Sequence, residues 1–261
     1  MNSLLLKVLV TPALIGTASL AGRRWGHSIS GWMIALPLTT GPITLFLAMS
    51  HGPAFAATAA SATLAGGMSQ AAFVTAYSQL AWRSKWPVAL AAAVAGFASL
   101  TMFLQKVTLP LVPLCAGVFL VFILVLKALP RQTDPNESSE TLPSRWDIPL
   151  RMLIATAFVV LLTTAASSLG PRLTGLLAPF PLFTATLAAF AHHQYGPAAA
   201  IRVLRGLMMG LFSYVSFFFM LALLLVPAGI TPAFVAAILV MLTLQGLSLW
   251  LLQRRPTVPN P

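Results

Sequence analysis

Long apolar runs, interrupted only by short clusters of charge, proline and glycine, constrain this chain more than any other feature. A bilayer core takes about 20 apolar residues per helix, and the breaks divide the sequence into nine runs of roughly that length. They cover residues 4–21, 31–50, 54–81, 87–105, 108–128, 149–168, 173–193, 203–226 and 232–252. The pattern predicts an all-α integral membrane protein of about nine transmembrane helices. Composition agrees: 58% of the 261 residues are hydrophobic and 7% are charged, and a water-soluble domain of that make-up would expose large apolar patches. The third and eighth runs lie in stretches longer than one crossing needs, which predicts tilt, a kink or an interfacial first turn. The first run is short and ends in small residues, as a secretory signal does. Arg23 and Arg24 follow it instead of preceding it, the wrong flank for a signal, so it is read as the first helix.

A net charge of +11 would ordinarily raise nucleic acid as a partner. Nucleic-acid binders carry their bases on a polar face, whereas here Lys and Arg punctuate apolar runs; no nucleic-acid partner is expected, and the lipid bilayer is. Sorted by side of the membrane, one set of alternate loops plus the tail collects Arg23, Arg24, Arg83, Lys85, Lys127, Arg131, Arg145, Arg151, Arg202, Arg205, Arg254 and Arg255. The other set holds Lys7, Lys106 and Arg172. Basic residues near helix ends favour the cytoplasm, so the bias predicts a multi-pass protein of the bacterial inner membrane with its N-terminus outside and its C-terminus in the cytoplasm. Residues 130–147 form the one long polar segment and carry all four acids, Asp134, Glu137, Glu140 and Asp147; they read as a flexible cytoplasmic loop.

Sliding the chain against itself by 144 residues aligns two halves without a gap. Between residues 26 and 69 the identical pairs are Gly26 with Gly170, Gly31 with Gly175, Pro37 with Pro181, Leu38 with Leu182, Thr40 with Thr184 and Phe46 with Phe190. Gly52 with Gly196, Pro53 with Pro197, Ala54 with Ala198, Ala56 with Ala200, Gly66 with Gly210 and Ser69 with Ser213 complete the set. Coincident Pro and Gly are harder to obtain from shared apolar composition than coincident Leu or Ala. The reading is a four-helix repeat over 1–106, a linking helix over 107–129, the loop 130–147, a second four-helix repeat over 148–253 and a tail over 254–261. Because the linking helix adds one crossing, the second repeat enters from the opposite side. Its charges have moved accordingly: Arg23 and Arg24 correspond to Ser167 and Ser168, while Thr58 and Ser61 correspond to Arg202 and Arg205.

Inverted repeats of this kind place substrates near mid-membrane, at helices broken by Gly or Pro in matching positions. Pro37, Thr39, Thr40, Gly41 and Pro42 supply one such place, and Pro181, Thr184 and Thr186 the other. A proline removes a backbone donor and frees a carbonyl a turn earlier. The neighbouring threonines either line a substrate site or satisfy those carbonyls. Gly66 with Gly210 and Ser69 with Ser213 indicate close packing near the same axis, with Gln70 and Tyr214 as further polar candidates. Arg202 and Arg205 share a helix face and serve either as an anion or lipid-headgroup contact or as positive-inside determinants.

Catalytic chemistry finds little to use. None of the four acids lies in a predicted span, and the chain has one cysteine, Cys115. His192 and His193 are adjacent, so on a helix their rings point about 100° apart and do not converge on a metal. His27, His51, His192 and His193 all fall near predicted helix ends, where polar anchoring accounts for them. No enzyme activity, metal or cofactor is expected.

At residues 172–196 the run RLTGLLAPFPLFTATLAAFAHHQYG resembles the signature region of the short GlpM-type bacterial membrane proteins, an A-G-L-x-P-x-F-P-type stretch followed by an apolar helix and a histidine. The first-half copy, ISGWMIALPLTTGPITLFLA, is similar to related short proteins with a G-x-x-x-A-L-P-L-T run. The resemblance implies two such units fused through the linking helix; it implies no reaction or substrate. Tyr195 stands where the first copy has His51, so a symmetric role for histidine is not implied. The expected function is a secondary transporter or exporter of a small solute, alternating access about Pro37 and Pro181. The alternative is a noncatalytic membrane subunit or scaffold for an envelope process. A polar mid-membrane cavity lined by Thr40 and Thr184 would favour the first, solid packing the second.

Overall fold

The computed structural model describes residues 9–14, 16–17, 37–129 and 147–253. Among them the regular structure is all helical: α1 Thr40–His51, α2 Pro53–Ala81, α3 Trp86–Lys106, α4 Leu111–Ala128, α5 Asp147–Thr164, α6 Ala166–Leu177, α7 Leu182–Tyr195, α8 Pro197–Ala228 and α9 Ile230–Gln253. Residues 9–14 and 16–17 are helical as well, and a Cβ on Gly16 would meet Met152 Sδ of α5 at 3.3 Å. The predicted loop with Arg23, Arg24 and His27, the repeat positions Gly26 and Gly31, the polar segment 130–146, Lys7, and the tail with Arg254 and Arg255 lie outside the described residues.

Among the described residues four helices are long and apolar enough to cross a membrane: Trp86–Lys106, Leu111–Ala128, Pro197–Ala228 and Ile230–Leu247. The protein is therefore membrane-embedded. Only 17% of the α4 span is buried within the protein, and Val112, Leu120, Ile123 and Leu124 point outward, the pattern of a lipid-facing helix. The α2 sequence is different. Its 29 residues are rich in Ala, Gly, Ser and Thr, yet Leu64, Phe73, Val74 and Tyr77 are fully buried. A helix ringed by other helices meets little lipid, and small residues let its neighbours approach where large ones would hold them off.

The joints follow from Gly-Pro pairs. Gly52 lies at φ 88°, ψ 167° and Gly196 at φ 83°, ψ 179°, backbone that side chains with a Cβ avoid. Each ends one helix, and the following proline, Pro53 or Pro197, opens the next at a position with no hydrogen bond to lose. One residue thus replaces a loop. Helix limits recur at the 144-residue spacing: α1 ends at His51 and α7 at Tyr195, α2 begins at Pro53 and α8 at Pro197, α3 begins at Trp86 and α9 at Ile230.

The α2 and α8 helices form the most extensive helix pair, and α4 packs against both. Their directions can be read from α4. Ser61 of α2 shares a cavity wall with Leu111 and Leu114 at the start of α4, and a Cβ on Gly67 would lie 3.0 Å from Phe122, farther along. In α8, Arg205 bonds to Leu126 and Leu129 at the end of α4, Phe212 lies tilted against Phe119 and edge-on to Phe122, and Ala222 reaches the cavity at its start. α2 therefore runs with α4 and α8 against it, so the two helices are antiparallel.

α6 and α7 lie along α2. A Cβ on Gly175 would overlap the Ala59 carbonyl and come within 2.8 Å of Ala62 Cβ; one on Gly66 would come within 2.5 Å of Pro179 and 2.8 Å of the Leu176 carbonyl. Glycine at both sites lets the backbones touch. α6 is itself interrupted at Gly170, φ 73°, ψ 166°, ahead of Pro171, so the predicted seventh span is not one helix. It is the second part of α6, a crossover, and α7.

Candidate functional site

The first predicted break lies at a helix start, not within a helix. Pro37, Leu38 and Thr39 form a turn into α1, with Gly41 N–H donating to the Pro37 carbonyl at 2.8 Å. Thr40, Gly41 and Pro42 make the first turn of α1, where proline lacks nothing the helix would use. The expected freed carbonyl behind Pro42 is thus absent. Gly41 packs against Phe217, 3.6 Å from a notional Cβ. Thr40 is buried and Thr39 half-buried.

The second break is a true crossover. Phe180 N–H donates to Leu177 O at 3.0 Å and Leu182 N–H to Phe180 O at 2.8 Å. Pro181, at φ −82°, ψ 58°, is the centre of an inverse γ-turn. The turn is filled from within: the Phe180 ring sits 5.1 Å from Phe97 and 6.4 Å from Phe73, edge-on to both. Pro181 is buried, Thr184 half-buried and Thr186 exposed, and the Thr186 hydroxyl donates to Leu182 O at 3.2 Å.

The other polar candidates are drawn into separate helix contacts. Ser69 accepts from the Thr101 hydroxyl of α3 at 2.9 Å, and Tyr214 donates to the Thr63 carbonyl, tying α8 to α2. Ser213 turns back on Gly210 O at 2.9 Å. Gln70 is buried, and its Oε1 has no protein partner. Half-buried Arg205 donates to Leu126 O at 3.2 Å and Leu129 O at 3.1 Å, closing the last turn of α4; Arg202 is half-buried one turn earlier.

Sequence reasoning left one histidine in the wrong setting. His51 stacks on Phe55 at 4.6 Å and His193 meets Trp86 edge-on at 6.3 Å, both near helix ends as expected. His192 instead is buried, its Nδ1 3.3 Å from the Tyr77 hydroxyl. It lies on the α7 face turned to α2, and only that docking distinguishes it from its neighbour.

A cavity of about 360 Å³ opens elsewhere, where α2, α3, α4 and α6 meet. Ala57, Thr58, Ser61, Ala62 and Ala65 form one wall, and Leu104, Val107, Thr108 and Leu109 a second; Leu111, Leu114, Leu176, Ala222 and Arg172 complete it. None of Thr39, Thr40, Thr184 or Thr186 lines it. The Arg172 Nη2 donates to Leu104 O at 2.6 Å and to Val107 O, capping the end of α3, while its Nε is buried without a partner.

No protein-family profile, curated protein or solved structure matches this chain. The site is therefore read from its own geometry. Among the described residues no three His, Cys, Asp or Glu side chains gather as metal ligands, and the one charged group on the cavity wall is Arg172. The lining is mixed, with the hydroxyls of Thr58, Ser61 and Thr108 and the Arg172 guanidinium among apolar side chains. The signal for Arg172 was present in the sequence: it is one of the few basic residues on the sparse side of the charge sorting.

Proposed function

We propose that the chain is a secondary transporter or exporter of a small solute, working by alternating access between two four-helix repeats of inverted topology joined by α4. One observation carries this reading: α2 and α8 are antiparallel although they begin 144 residues apart, at Pro53 and Pro197, with matching Gly-Pro joints. Inverted repeats rock against each other about a shared axis in many transporters, and a helix pair on that axis is the natural pivot. The reading includes nine crossings, an outside N-terminus and a cytoplasmic C-terminus in a bacterial inner membrane. It also takes the halves as two GlpM-type units fused. A second reading, a noncatalytic scaffold, draws on the Phe180 ring packed between Phe73 and Phe97, which leaves the crossover solid.

The two differ in what reaches Thr40 and Thr184 over time. With Cys115 replaced by Ala, Thr40→Cys and Thr184→Cys variants in sealed vesicles are treated with a membrane-impermeant maleimide from either side. A rocking transporter exposes each position to both sides; modification from neither side supports the scaffold and removes transport. Control positions Ser84→Cys and Thr108→Cys are expected to label from opposite faces, cytoplasmic and outer respectively. Labelling of both from one face overturns the topology.

A further inference from the structure

Among the described residues the charge on Arg172 has no acidic partner. It sits on the side with few basic residues, so the positive-inside bias does not account for it. Among the described residues its acceptors are two carbonyls, Leu104 O and Val107 O. The one acid those residues contain, Asp147, opens α5, an 18-residue helix whose far end leads into the Arg172 helix. Arg172 is half-buried, and it borders a cavity of about 360 Å³ instead of being packed away.

The remaining walls favour negative charge. Leu111 begins α4 at the cavity, and its N-cap, Pro110, supplies no side-chain acceptor. The first turn of a helix carries the positive end of the dipole and unmade N–H bonds; in α4 these are the Leu111 and Val112 groups, since Pro110 and Pro113 have no N–H. Ser61 and Thr108 add hydroxyls, and no carboxylate is among the described residues of the wall.

We propose that this cavity is a binding site for a small oxyanion, a carboxylate or phosphate group whose charge rests beside Arg172 and whose apolar remainder lies along Leu104, Leu114 and Leu176. The volume is at the small end of ligand pockets, which run from about 300 to 1,000 Å³. Oxyanions reach it either as a free solute or as a lipid headgroup. Binding is independent of whether the chain transports.

The test uses the purified full chain in nanodiscs. In neutral phosphatidylcholine discs, titration calorimetry with sodium succinate and with inorganic phosphate is expected to show saturable binding of at least one probe. Arg172→Gln should weaken it at least tenfold. Because that variant also uncaps α3, Ser61→Leu is the second arm: it keeps the arginine, fills the hollow, and is expected to abolish binding while the protein stays folded by circular dichroism. A headgroup source appears as phosphatidylglycerol that copurifies with the parent chain and not with Ser61→Leu, and supports the oxyanion site. If neither probe binds and no anionic lipid is retained, or if Ser61→Leu binds as the parent does, the proposal is overturned.

Discussion

The α2 and α8 helices begin 144 residues apart at matching Gly-Pro joints, yet their second and third turns are finished in opposite ways. At the start of α2, Thr58 and Ser61 are small and leave a hollow beside the beginning of α4. At the equivalent positions of α8 stand Arg202 and Arg205, and Arg205 reaches the carbonyls of Leu126 and Leu129 at the other end of α4. The Gly-Pro joints are shared; backbone direction and side-chain volume are not. Two substitutions at the level of Ser against Arg decide which end of α4 is open and which is plugged. Arginine still closes a helix at both ends, Arg172 for α3 and Arg205 for α4, each on carbonyls three residues apart. Only Arg172 does so at the edge of a cavity.

The sharpest way to break this contrast is to crowd each helix in turn. Gly175→Leu forces a side chain onto Ala59 and Ala62 of α2 and is expected to cost about 3 kcal/mol or more, seen as loss of monodisperse protein on gel filtration. Gly206→Leu on α8 has nothing within 4 Å of the new Cβ, and helix propensity favours it by up to about 1 kcal/mol; its melting temperature should hold or rise. Equal damage from both would mean that α2 is no more tightly seated than α8.

A smaller effect separates the two caps. Arg205→Gln removes charge-assisted bonds worth about 1.5–3 kcal/mol and is expected to lower the thermal midpoint in detergent while leaving oxyanion binding at the opposite end of α4 unchanged. A fall in that binding would couple the ends. The smallest change is Thr101→Val. It strands the Ser69 hydroxyl between α2 and α3 and should cost about 1 kcal/mol, read as a modest shift of the same thermal midpoint.

Much of this arrangement was legible in the residues. Although the eighth run, read as 203–226, begins earlier, at Pro197, Gly-Pro pairs act locally, and Gly52 and Gly196 need no tertiary context to turn. Pro181 was rightly marked as a break for the same reason. Pro42 was not, since whether a proline interrupts a helix or opens one depends on where the helix starts, which Pro37 and Thr39 settle through a turn. Hydropathy misjudges α2 in another way: it measures affinity for lipid, and α2 is enclosed by protein. The settings of His192 and Arg172 depend on which face of α6 and α7 meets α2, and no local pattern encodes that docking.

The enclosed character of α2 bears on how the chain is made. Polypeptides emerge N-terminal end first, and a segment enters the bilayer from the translocon according to its own apolarity. The Ala- and Gly-rich α2 is synthesised more than a hundred residues before α6 and α8, the helices that will shield it. Until they arrive the Gly66 face lacks the Leu176 carbonyl it meets in the folded chain, whereas the Thr58, Thr63 and Thr75 hydroxyls already bond within α2. Biogenesis thus asks the first half to wait, and a ribosome paused within the second half would leave a poorly anchored helix exposed to quality-control proteases.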